Sequence, residues 1–327
     1  MALSPNRHLV IWQEKQSTLF KEEIESLLAP LSDTPILSKM VSESLDQYVD
    51  ELAIESENTR PWPLLPLVVC EGISTQYEHV VPVAVALQFL RAAADIFDDI
   101  EDADSPKALS SKYGSAESIN VATTLIMLAE KAITRLKKLQ VENDIIILVM
   151  DKINSYHTIA CVGQHMDLTL TLEMAISEEE YLKIASMKSA FQVECACHIA
   201  ALLATPQKKL IDSLTKFGHN LGMAVQLTND IQGITQGRDI LKKRITLPII
   251  YALAHSDSTV GNQIRYEFSH PSKSASDFTL VKDLLFRCGA IHYASVKLEL
   301  YKQQALDILS DTEKEGVNVE RLKLFVT

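Results

Sequence analysis

Five of the seven residues from Asp98 to Asp104 are acidic, in the run Asp98-Asp99-Ile100-Glu101-Asp102-Ala103-Asp104, and no base follows until Lys107. The stretch before them, Ala92-Ala93-Ala94-Asp95-Ile96-Phe97, is mostly apolar, which places the acids at the C-terminal end of a buried helix. On such a helix Asp95, Asp98 or Asp99, and Asp102 share one face at i, i+3/i+4 and i+7. Carboxylates there repel one another and also meet the negative end of the helix dipole. A divalent cation reverses the sign of that arrangement. Mg²⁺ suits it, because it takes carboxylate oxygens, keeps several waters and bridges to phosphate oxygens. A solvated acidic turn is the plainer alternative, and the apolar lead-in counts against it.

Four further segments carry chemistry. The run from Gly218 to Gly233 places Gln226, Asn229 and Asp230 on one helix face, with small residues at Gly218, Gly222 and Ala224 that permit close packing. Gly163-Gln164-His165-Met166-Asp167-Leu168 puts Gln164 and Asp167 on a common face, with His165 read as a surface group. Lys188-Ser189-Ala190 offers either a solvated lysine or a phosphate ligand acting as a point charge. Gly237-Arg238-Asp239 leads into Lys242-Lys243-Arg244, a basic triplet that could neutralise a diphosphate or form an exposed face.

These residues need helices to position them, and the chain supplies little else. Apolar residues recur at helical spacing, predicting helices at about 36–55, 62–73, 79–103, 115–138, 142–172, 178–203, 207–234, 245–256 and 278–312. Only 10 Gly and 11 Pro interrupt 327 residues, which long helices tolerate better than a turn-rich β-fold. Ser177 followed by Glu180 reads as a capping box. His255–Asp277 reads as a loop with a short helix, and residues 1–35 as a partly ordered N-terminal arm on one helical domain spanning 1–327. A formal net charge of -12 argues against nucleic acid as a main partner. Five cysteines without zinc spacing read as buried thiols, and neither a secretory signal nor a membrane span is expected, which makes the cytoplasm the default.

In this order the segments resemble the trans-isoprenyl diphosphate synthase (polyprenyl synthetase) family over residues of about 55 to 255. Asp98-Asp99-Ile100-Glu101-Asp102 resembles its first aspartate-rich motif, DDxxD, and Gly163-Gln164…Asp167-Leu168 its GQxxDL. Lys188-Ser189-Ala190 resembles its KTA, and Gln226…Asn229-Asp230…Gly233 stands in place of its second motif, QxxDDxxD. Gly237 to Pro248 resembles the GKDxxxxKxTLP segment, and Arg60-Pro61 the end of GKxxRP. The resemblance implies an all-α single antiparallel bundle around a deep apolar cavity, usually as a homodimer. Two acidic motifs would hold a prenyl diphosphate through three Mg²⁺ ions. By this likeness Asp98, Asp99, Asp102, Asn229 and Asp230 are metal ligands, and Lys188, Arg238, Lys243, Arg244 and Gln226 meet the diphosphate. Asp98, Asp99, Lys188 and Arg60 carry catalysis, while Ala93, Ala94, Phe89, Gln164, Asp167, Phe191 and Val225 line the cavity.

The departures are as telling. Asn229 and Gly233 replace two aspartates of the second motif, leaving Asp230, with Asp239 as a possible substitute. Elongating members carry paired arginines after the first motif and a lysine in GKxxRP; here only Arg60 and Lys107 remain near those places. A second diphosphate needs several cations in a dry pocket, so condensation with isopentenyl diphosphate is disfavoured. The expected activity is Mg²⁺-dependent ionisation of an allylic diphosphate of roughly twenty carbons, in a pocket on the order of several hundred Å³. Its cation would be cyclised, deprotonated or captured by water, as in a class I terpene synthase. Transfer to isopentenyl diphosphate or to a peptide, and a non-catalytic subunit of a prenyl synthase, are the alternatives.

Overall fold

The computed structural model describes residues 5–50, 52, 60–102, 108–171, 176–255, 258–269 and 275–326. Prolines stand in the first turns of helices, where the missing N–H costs nothing, as at Pro35, Pro66, Pro82 and Pro248. Between such starts the chain forms α1 (Pro5–Leu28), α2 (Pro35–Asp50), α3 (Leu65–Ile73), α4 (Val81–Asp102), α5 (Leu109–Tyr113) and α6 (Ser115–Thr134). Next come α7 (Asn143–Leu168), α8 (Glu178–Ala185), a one-turn π segment (Ser186–Ala190), α9 (Phe191–Ala204), α10 (Lys208–Thr235) and α11 (Arg238–Leu241). The chain ends with α12 (Leu247–His255), α13 (Ser258–Ser269), α14 (Ala275–Arg287), α15 (Ala290–Lys314) and α16 (Glu320–Val326). No strand occurs among the described residues, in line with the all-α expectation.

The main core is built by α3, α4, α6, α9 and α10, with Phe89, Leu125, Leu136, Ile199, Leu214 and Phe217 fully enclosed. α4 buries residues all round its N-terminal half, from Val81 to Ala86, and ends on its acids at the bundle's edge. A helix apolar on every side belongs in a core. Two smaller clusters, on α12 to α15 and around Tyr181, close the far side of α10.

Several details differ from the sequence reading. Residues Pro5–Leu28 form a helix whose Phe20, Ile24 and Leu27 enter the main core, so the stretch read as an arm contributes to that core. The helix read over 178–203 is interrupted by the π turn, and that read over 278–312 breaks at Gly289, which takes φ +80°. The stretch read as a loop with a short helix holds α13 and the start of α14. Two helical stretches, Glu78–Asp102 and Asn143–Leu168, are long and apolar enough to cross a membrane by length and composition alone. The first is a core helix, 67% of its apolar window being buried, but only 17% of the second's is. Cys70, Cys195 and Cys197 are buried as expected, whereas Cys161 is exposed and Cys288 half-buried.

Candidate active site

Three pieces of chain deliver side chains to the C-terminal end of α4. Gln164 of α7 donates from Nε2 to Asp98 Oδ1 at 3.0 Å and to Glu101 Oε2 at 2.6 Å. Lys188 in the π turn donates to Asp167 Oδ2 at 2.5 Å and lies 3.6 Å from Asp98 Oδ1. Beyond α11, Arg244 pairs through Nη2 with Asp102, and Lys242 Nζ is 3.5 Å from the same carboxylate. Residues far apart in sequence thus converge as one patch of alternating charge.

Two glycines and a strained turn make the convergence possible. A Cβ on Gly163 would lie 2.6 Å from Lys188 N and 2.7 Å from Met187 C, so α7 meets the π turn backbone to backbone. On the other side a Cβ on Gly222 would lie 2.6 Å from Ala190 O. The π turn is clamped between α7 and α10, and the extra residue it inserts sets the direction of Lys188. After α11, Lys243 adopts φ +55°, a left-handed conformation uncommon outside glycine, and the next N–H, that of Arg244, donates to Asp239 O at 2.8 Å. That turn carries Arg244 to Asp102. Burial works against the Arg244 charge, but the surrounding carboxylates of Asp102, Asp98, Asp239 and Asp167 outweigh it and hold the guanidinium above its ordinary value.

Other residues named from sequence are placed elsewhere. Asp230 is buried, and burial raises its pKa to about 6 even though Tyr181 Oη donates to it at 2.5 Å, Gln226 Nε2 at 2.8 Å and Leu247 N–H at 3.4 Å. Gln226 and Asp230 therefore satisfy each other inside the protein. Asp95 is bound by Tyr48 of α2 and does not join the acids at the helix end. Asn229 and Arg238 are exposed, and Lys243 is half-buried. Arg60 donates from Nε to Leu324 O at 3.2 Å, which ties it to α16. Phe89, Ala93 and Phe191 are enclosed; Ala94, Gln164, Asp167 and Val225 are half-buried. Asp99 is half-buried at the helix end. Asp104, Lys107 and residues 56–59 lie outside the described residues.

Sequence reasoning missed Tyr181, which has no motif of its own, and the pairing of Lys242 with Asp102. It also missed Glu101, although that residue lies inside the acidic run.

The donor set fits a hard divalent cation. Asp98 and Asp102 stand one helical turn apart, and each carboxylate is already oriented by a neighbour. Among the described residues no three His, Cys, Asp or Glu side chains gather tightly enough to enclose an ion alone. Mg²⁺ tolerates such a sparse set, because it keeps waters and completes its shell with phosphate oxygens.

Comparison with known proteins settles the family. Residues 42–284 match the polyprenyl synthetase family. The chain belongs to that family. Among curated relatives, a geranylgeranyl diphosphate synthase of Methanosarcina mazei is 24% identical over 274 residues, covering 79% of this chain and 82% of that one. The tryptophan prenyltransferase ComQ of Bacillus spizizenii is 27% identical over 246 residues, covering 74% of this chain and 83% of that one. Among solved structures, a geranylgeranyl pyrophosphate synthase of Corynebacterium glutamicum, complexed with isoprenyl diphosphate and magnesium, superimposes with a TM-score of 0.78. That structure is 18% identical, 96% of each chain being covered, and the likeness is one of fold. As a polyprenyl synthetase family member, the chain has the helical bundle that the resemblance implied.

Proposed function

We propose that this family member ionises an allylic prenyl diphosphate at the end of α4 and uses the resulting carbocation without a second diphosphate. The observation that carries the reading is the meeting of Lys188, Lys242 and Arg244 with Asp98, Asp102 and Asp167 at one end of the bundle. Acids suited to a metal and bases suited to an anion share one site. In the reaction the bond between C1 and its diphosphate oxygen breaks, the electron pair leaves with the diphosphate, and an allylic cation remains. Bound Mg²⁺, up to three ions, would supply the charge that polarises the leaving oxygens. Asp98, Asp99 and Asp102 are the residues proposed to hold it. Lys188 has three N–H bonds and Arg244 five, more than their carboxylate partners take, which leaves donors for the diphosphate.

The reading without an isopentenyl diphosphate site rests on the cations: of those that elongating members place there, only Arg60 and Lys107 remain. The cation would then cyclise, lose a proton or capture water, as in a class I terpene synthase. A specific second reading has support too: one relative is a tryptophan prenyltransferase, so transfer to a non-diphosphate acceptor is the alternative fate. The test is pyrophosphate release from geranylgeranyl diphosphate by the purified chain, with and without Mg²⁺. Release that depends on Mg²⁺ and is lost in Asp98→Ala supports the reading; release unaffected by a chelator sinks it.

The exposed side of α7 bears on assembly. Ile147 is 64% exposed, Leu168 50%, Val162 47% and Ile159 45%, and Met127 of α6 adds another 52% exposed apolar side chain. Such a stripe fits a second copy of the chain packed across α6 and α7, in a cytoplasmic homodimer. Sedimentation of wild type as a dimer and of Ile147→Asp as a monomer is the expected result, and a monomeric wild type would rule it out.

A further inference from the structure

His157 of α7 is an imidazole with one nitrogen left free. Its Nδ1 lies 2.8 Å from the carbonyl oxygen of Ile153, one turn earlier on the helix. A carbonyl only accepts, so Nδ1 carries the ring's proton and Nε2 holds the lone pair. Among the described residues nothing bonds Nε2, yet that nitrogen is not enclosed, so it opens onto free space. Phe191 of α9 packs edge-on against the ring, with centroids 5.3 Å apart and planes at 85°. Burial outweighs the bond to Ile153 and holds the imidazole below its ordinary pKa, which keeps the lone pair available.

The free space lies below the acids at the end of α4. Gln164, which bonds Asp98 and Glu101, follows His157 by seven residues, so the two share the face of α7 that meets α4. On α4, Leu87, Leu90 and Ala94 stand at helical spacing on the face that carries Asp98. These three are half-accessible although Phe89, Ala92 and Ala93 beside them are buried, and His157 and Ala160 are half-accessible too. Two half-open rows, tied at the top by Gln164, leave an apolar groove running into the bundle. His157 lies about 10 Å down it from Gln164, at 1.5 Å of rise per residue.

A base at that depth is remote from C1 of a prenyl diphosphate held at Asp98, but it meets a carbon further along the chain. Such a carbon becomes cationic when a distal double bond closes a ring onto C1. We propose that His157 is the base that ends the reaction, taking a proton from the cyclised carbocation to leave a cyclic hydrocarbon. The proposal rests on the reading of the end of α4 as an ionising site, and it chooses among the fates of the cation. In ring closure the C1–O bond breaks and its electron pair leaves with the diphosphate. The π pair of the distal double bond forms a bond to C1, and the charge passes to the distal carbon. A C–H bond beside that carbon then breaks; its electron pair becomes a new C=C bond and the proton goes to Nε2. One positive charge replaces another in the groove, so the step adds no buried charge. The imidazolium gives its proton to water once the product has left.

The experiment is incubation of the full chain with Mg²⁺ and geranylgeranyl diphosphate, for wild type, His157→Phe and His157→Gln. Hydrocarbons are measured by gas chromatography and mass spectrometry, and related to the pyrophosphate released. His157→Phe keeps a flat ring against Phe191 without the lone pair; His157→Gln serves if that variant misfolds by circular dichroism. The main wild-type hydrocarbon formed per pyrophosphate released should fall at least about tenfold, replaced by alcohols or by hydrocarbons with other double-bond positions. A ratio within about twofold of wild type in a folded variant, with the same products, would overturn the proposal whatever happens to the release rate. Release by wild type without a cyclic hydrocarbon would overturn it too, while leaving the ionising site standing. If wild type shows no Mg²⁺-dependent release, the functional reading falls and this proposal with it.

Discussion

Replacing Asp230 with asparagine should stabilise the protein at neutral pH and do much less in acid. An unfolded chain ionises this aspartate near 3.8, whereas burial raises it to about 6 in the fold. The sign follows from linkage. Below the lower value both states carry the proton and the residue costs nothing; as pH rises from 3.8 to about 6 the unfolded chain ionises while the fold holds its proton, and stability is lost until the buried acid ionises too. At about 1.4 kcal/mol per pH unit, the full loss is about 3 kcal/mol, of which about 2 kcal/mol develops between pH ~4.5 and pH ~7.5. Asparagine keeps an oxygen for Tyr181 and the Leu247 N–H, and the Gln226 amide can turn over to accept from the new NH₂. Urea denaturation of wild type and Asp230→Asn at both pH values isolates the effect, since all other titrating groups are shared. The variant should gain about 2 kcal/mol relative to wild type between the two pH values. A variant whose advantage is the same at both, or that is destabilised at the higher pH, would refute the account of Asp230 as an internal, self-satisfied acid.

Gly163→Val should drive α7 away from the π turn, misplace Lys188 and lower kcat/KM for pyrophosphate release by about 100-fold, with far-UV circular dichroism unchanged. Unaltered kinetics would show that the close approach does not set the lysine. Lys188→Ala and Arg244→Ala should each cost about 2–4 kcal/mol of transition-state stabilisation, read from kcat/KM, and a loss below twofold would remove them from the reaction. Ala93→Phe should destabilise the fold by about 1–3 kcal/mol in denaturant, because Ala93 is enclosed in the core. Ala94 is half-buried, so Ala94→Phe should instead shift preference toward shorter prenyl diphosphates, and an unchanged length profile would contradict a cavity at that position.

The helices were legible because apolar spacing repeats along them, and the acidic end of α4 because its residue types sit at helical intervals after an apolar lead-in. What the chain did not disclose depends on contacts distant in sequence. Asp230 reads as a free ligand until Tyr181, 49 residues earlier, is seen to bind it. The π turn was hidden because its residues are ordinary helix formers, and the backbones it meets most closely, at Gly163 and Gly222, lie on neighbouring helices. The stretch before Leu28 was read as an arm because its polar residues dilute the stripe formed by Phe20, Ile24 and Leu27. The close approach of the Asp239 carboxylate to Gly233 is invisible to spacing, since only the backbone geometry brings the two together. Lys242 was passed over within a basic triplet whose three members look alike until one of them is found beside Asp102.

The central claim is an ionising site that needs no second diphosphate. Its most direct measurement is incubation of the purified chain with Mg²⁺ and geranylgeranyl diphosphate, with and without isopentenyl diphosphate, followed by analysis of hydrocarbons, alcohols and diphosphates. The account predicts pyrophosphate release in both arms and no lengthened diphosphate in either. A longer prenyl diphosphate formed only when isopentenyl diphosphate is present would contradict it and make the chain an elongating synthase.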